Sequence, residues 1–234
     1  MHRIRIAAFS LFVLALNASP AQERINSVEL FGTFIGSSKL FHHPEDSDEL
    51  VRSQFLPLNN IFSAGADVRH IIEEFRIQVG VSVEYISKTD VISIPLSSSG
   101  SVPVRDGFTA IPVELSGYFF IPLGDEKIRF YMGGGGGAYF GTRRYTFAGA
   151  DAVPVERNIG YGIHVLSGAQ YALGEAVSLR SELKFRDVQF ETTNRFEQLS
   201  TTYLGRTILL DQTPLRSRIN IDGMTLTLGL VLRF

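Results

Sequence analysis

Thr225-Leu226-Thr227-Leu228-Gly229-Leu230-Val231-Leu232-Arg233-Phe234 decides the fold: from Leu226 onward every even position is bulky and apolar, while the odd positions are Thr, Gly, Val and Arg. A period of two is the signature of a strand with one greasy face and one smaller, wetter face. Its length matches the roughly 9–11 tilted residues that carry a strand across a bilayer. An unpaired strand edge in hydrocarbon costs several kcal/mol for each unsatisfied N–H or C=O, so such a strand must be paired on both sides in a closed barrel.

Working outward from that stretch, the same alternation recurs seven times. In 28–36, Val28, Leu30 and Phe34 oppose Glu29 and Thr33. In 61–69, Phe62, Ala64, Ala66 and Val68 oppose Ser63, Gly65, Asp67 and Arg69. The clearest internal case is 75–85, where Phe75, Ile77, Val79, Val81, Val83 and Tyr85 face away from Arg76, Gln78, Gly80, Ser82 and Glu84. Further strands are expected at 111–121, 128–140, 160–171 and 177–185, the last setting Val177, Leu179, Leu183 and Phe185 against Ser178, Arg180, Glu182 and Lys184. Pro112 has no N–H to give a ladder, so it is expected at a bulge or at the start of its strand.

The connections alternate in length. Long ones are expected at 37–58, 88–106, 143–157 and 189–216, with 203–210 extending the last hairpin, and short turns at 71–74, 122–126 and 173–175. An even number of strands with strictly alternating short and long connections is the topology of an all-β, eight-stranded antiparallel up-and-down transmembrane β-barrel. A soluble barrel would hide its apolar faces inside, leaving the crowded charges of both signs unexplained.

The N-terminus supports export. Met1-His2-Arg3-Ile4-Arg5 is basic, 6–16 is apolar, and Asn17-Ala18-Ser19-Pro20-Ala21 supplies small residues, so 1–21 is expected to be a cleavable signal peptide and 22–234 the barrel domain. Loss of Arg3 and Arg5 from the 22 basic residues, against 24 acidic ones, leaves a mature chain near −4, which excludes nucleic acid as a partner. There is no cysteine, hence no disulfide and no thiolate metal site. The run Gly133-Gly134-Gly135-Gly136-Gly137 lacks the spacing and the following Lys-Ser/Thr of a phosphate loop. It is expected instead to thin a strand so that facing side chains can fill a narrow barrel.

Over essentially the whole mature length these features resemble the small outer-membrane β-barrel family typified by OmpA and OmpX. The resemblance implies a bacterial outer-membrane location with membrane lipid as surroundings, and it departs from OmpA in having no periplasmic domain after the barrel. It also implies that the C-terminal alternation Leu230, Leu232 and Phe234 is the signal read by the barrel-assembly machinery.

With the greasy face outward, the lumen should hold Glu29, Asp67, Arg69, Arg76, Glu84, Glu114, Arg129, Arg180, Glu182, Lys184 and Arg233. Charges at that density must pair, because an isolated ion in low dielectric costs several kcal/mol. The expected result is a salt-bridge plug; the alternative is a narrow gated ion channel in which partners exchange. His42 and His43 beside Glu45, Asp46, Asp48 and Glu49 suggest a cation site, but adjacent residues of an extended chain point opposite ways, so a solvated loop is expected. His164 and Ser167 suggest a lipid-modifying enzyme, but residues three apart in a strand lie on opposite faces. The expectation is therefore a monomeric, non-enzymatic barrel without catalytic residue, metal or cofactor, of structural or surface-interaction role, meeting an extracellular ligand through loops that carry Phe41, Phe55 and Tyr203.

Overall fold

The computed structural model describes residues 25–95, 100–125 and 127–234; the expected signal peptide lies outside them. The strands are β1 (Asn26–Phe41), β2 (Phe55–Ile72), β3 (Ile77–Pro95), β4 (Ser101–Gly124), β5 (Ile128–Phe147), β6 (Ala150–Arg157), β7 (Gly160–Ala172), β8 (Val177–Phe196), β9 (Ser200–Tyr203), β10 (Arg206–Leu209) and β11 (Leu215–Arg233). β6 and β7 share one place in the wall. β6 meets the outer part of β5 at Tyr145↔Ala152, β7 meets its inner part at Tyr139↔Gly160, and both pair with β8.

The wall therefore has eight staves, and β11 closes it by pairing with β8 on one side and β1 on the other. The β1–β11 seam runs from Ser27↔Arg233 through Leu30↔Leu230 to Phe41↔Arg218, with one register shift between Ile35 and Lys39. Its end is fastened by Asn26 and Phe234, which exchange backbone hydrogen bonds of 3.1 and 2.9 Å. Through the apolar belt the long barrel strands described are paired on both sides, the condition that hydrocarbon imposes, and β2 and β3 part only beyond Ser63↔Ile86 towards the loop end.

The start of β1, the end of β11 and the three short turns lie at one end, here the terminus end. The turn after β2 is a single 3-10 turn, Glu73–Phe75, closed by Arg76 in the left-handed region at φ 52. In the turn after β4, Asp125 Oδ1 accepts from the backbone N–H groups of Lys127 and Ile128 at 2.8 Å each, which holds its carboxyl below the ordinary range. The long connections gather at the opposite, loop end. The first carries a one-turn helix, α1 (Glu49–Arg52), whose Leu50 N–H is capped by Asp48 at 2.9 Å.

The two faces separate as the alternation demands. Leu30, Phe62, Leu115, Ile163 and Leu228 stand exposed on the outer surface, whereas Glu29, Asp67, Glu84, Glu114, Arg180 and Glu182 are buried inside. An apolar belt of this extent on the outside, with ions on the inside, is the inverse of a soluble barrel.

Four expectations about elements are corrected. The long connections are shorter than expected because the ladders run on past the apolar belt: β1 and β2 still pair at Phe41↔Phe55, and β3 and β4 at Pro95↔Ser101. Outside hydrocarbon neither face must be apolar, so pairing continues where alternation stops. Residues 203–210 do not extend β8; β9 and β10 form a separate two-stranded sheet. That sheet is tied to the β5–β6 turn by Thr201 Oγ1 donating to the Ala148 carbonyl at 3.1 Å. Phe75 lies in the 3-10 turn rather than in a strand. Pro112 sits in mid-strand without a bulge, and the β3–β4 pairing omits Glu84 and Tyr85 at its level, which removes the need for its missing N–H.

Candidate functional site

The buried side chains inside the barrel fall into layers, and their order is the same on each strand that crosses them. The layer nearest the terminus end is ionic. Arg69 Nη2 donates to Glu182 at 2.5 Å and its Nε to Asp67 at 2.7 Å; Arg180 donates to Glu29 at 2.6 Å and to Gln170 at 3.1 Å. The Tyr131 hydroxyl donates to Glu182 at 2.7 Å, and the Arg69 guanidinium lies 3.8 Å from the centre of the Tyr118 ring. Three carboxylates and two guanidiniums thus share partners, and each lies within about 4 Å of an opposite charge. Glycines make the room: a Cβ on Gly80 would lie 2.8 Å from Arg69 Cγ, and one on Gly229 would collide with the Glu29 carboxylate.

The second layer is also ionic. Lys184 donates to Glu114 at 2.7 Å, and Arg186 donates both terminal nitrogens to Glu84 at 3.0 Å. The Tyr139 hydroxyl donates to Glu114, and Ser63 to Glu84. Ser116 Oγ and His164 Nε2 are 2.8 Å apart, with His164 Nδ1 3.9 Å from Glu114. Inward glycines of the Gly133–Gly137 run face this region; a Cβ on Gly137 would lie 2.9 Å from Glu114 Cγ.

The third layer is apolar. Ile35, Leu58, Ile86, Phe108, Phe190 and Ile219, with their neighbours, form a buried cluster inside the barrel, Phe108 and Phe190 meeting edge to face at 6.2 Å. Above it Arg143 grips Asp106 with two hydrogen bonds of 2.8 and 2.7 Å and reaches Ser217 at 2.7 Å. His42, arriving from the first long connection, adds a 2.8 Å contact to the same carboxylate. A second apolar cluster, including Ala150, Ala152, Phe196 and Leu210, caps the stack under the β9–β10 sheet.

Of the residues expected inside, Glu29, Asp67, Arg69, Glu84, Glu114, Arg180, Glu182 and Lys184 are buried and brought together in the two ionic layers. Arg76 and Arg129 are not: both are exposed, Arg76 because it closes the β2–β3 turn, Arg129 because it sits at the terminus-end rim beside the β4–β5 turn. Arg233 is half-buried at the same rim, donating to the Gly174 carbonyl at 3.3 Å. Leu230, Leu232 and Phe234 lie on the outer face at the seam. The expected lumen set left out Asp106, Arg143, Arg186 and the tyrosines Tyr118, Tyr131 and Tyr139, and His164 was considered with Ser167 rather than with Ser116. Arg186 extends the even-numbered charged series of β8 by one step, which was a usable signal. Asp106 and Arg143 fall in segments assigned to loops, where phase was not followed.

His164 points inward and Ser167 outward, so they do not meet; His164 meets Ser116 instead. His43 is exposed, and Asp46 and Asp48 bind backbone N–H groups of the loop. Among the described residues no three His, Asp or Glu side chains are placed to hold a metal ion.

No protein-family model matches the sequence, and no curated protein does. Among solved structures the chain is similar to the outer membrane protein OprG from Pseudomonas aeruginosa, with a TM-score of 0.60 and 11% identity over 90% of this chain and 96% of that one. Weaker likenesses are to Neisserial surface protein A (TM-score 0.48, 14% identity, 89% and 97% covered) and to Ail, the attachment invasion locus protein of Yersinia pestis (0.45, 13%, 90% and 99%). The likeness is one of architecture, eight antiparallel staves closed into a barrel, and the chain has the fold of the small eight-stranded outer-membrane β-barrels.

Proposed function

We propose that this protein is an integral outer-membrane barrel, exported by its N-terminal segment, whose lumen is permanently closed and whose work is done by the extension beyond the membrane. The observation that carries this reading is the apolar cluster of Phe108, Phe190, Ile86 and Leu58 stacked on two ionic layers. An ion moving along the axis would have to break paired charges and then cross a dry section, each step costing several kcal/mol. Eight staves leave an interior only wide enough for side chains. The Ser116–His164 pair does not favour an enzyme, because both side chains are buried between Glu114, Lys184 and Arg186 with no opening to a lipid acyl bond.

The extension is built for contact. β1–β2, β3–β4 and β5–β6 rise past the belt as paired hairpins; exposed Leu50 sits on the β1–β2 connection, and exposed Leu199, Leu204 and Leu209 on the connection between β8 and β11. The test is planar-bilayer recording of the purified barrel together with its mobility on gels before and after boiling. Silence, with a heat-modifiable band, is expected. Steady resolved conductance would replace the closed barrel by a channel, and a monodisperse soluble protein without detergent would remove the membrane reading.

A further inference from the structure

We draw no further inference here: the strongest candidate, the pair of strand flanks at the loop end where β2 (55–62) and β3 (87–95) run on without pairing to each other, carries no proposal, because nothing in the structure shows what covers them.

Discussion

At the scale of single residues, the interior depends on carboxylates that each serve more than one buried donor. Glu182 accepts from both Arg69 and the Tyr131 hydroxyl. Glu182→Ala leaves the buried Tyr131 hydroxyl without its acceptor and takes one of the two carboxylates that hydrogen-bond Arg69, with Asp67 remaining, and breaking a buried pair from one side costs about 3–5 kcal/mol. The variant should lose its heat-modifiable band at a markedly lower temperature than the parent; an unchanged transition would show that water reaches this layer. Lys184→Ala should cost less, because Glu114 keeps the Tyr139 hydroxyl and lies within 4 Å of His164. The inward set was legible because charge and phase coincide along β1, β2, β3 and β8. Arg76 and Arg129 share that phase but lie at strand ends, and phase alone carries no information on where a strand leaves the lumen. The tyrosines escaped for the opposite reason: at Tyr118 and Tyr131 an aromatic residue occupies an inward position, where its ring fills space and its hydroxyl serves a carboxylate.

At the scale of elements, the membrane-spanning parts of the strands were readable because hydrocarbon enforces strict alternation, and their continuations were not because nothing enforces it there. β3 and β4 stay in register up to Pro95↔Ser101 through residues such as Ser93 and Pro103 that carry no pattern. Likewise, the short helix Glu49–Arg52 is held by a local cap at Asp48, and the β9–β10 sheet is tied down by Thr201 on the Ala148 carbonyl, a contact between segments far apart in the chain. The seam between β1 and β11 makes a sharper prediction. Deleting Phe234 removes the residue whose backbone N–H and C=O fasten Asn26, together with a 39% exposed aromatic ring at the rim. Aromatic girdles favour that interfacial position. The yield of heat-modifiable protein in the outer membrane should fall severalfold, measured by blotting unboiled membrane fractions. Equal yield would show that the last strand is recognised without its final residue.

At the scale of the whole molecule, closure is redundant. Phe108→Ala with Phe190→Ala empties much of the apolar layer, and loss of a buried Phe costs about 3–5 kcal/mol each. The double variant should unfold at lower temperature yet stay silent in planar bilayers, because two ionic layers still block the axis. Current through it would mean that the apolar cluster alone is the seal. The overall architecture was visible from the rhythm of strands and turns; the layering was not, since it depends on which inward residues reach one another across the lumen. That layering also divides the interior electrically. The His42–Asp106–Arg143 group is separated from the deeper ionic layers by the apolar cluster, so each group has to balance its charges within itself. A substitution that unbalances one group therefore leaves the pairing of the other untouched.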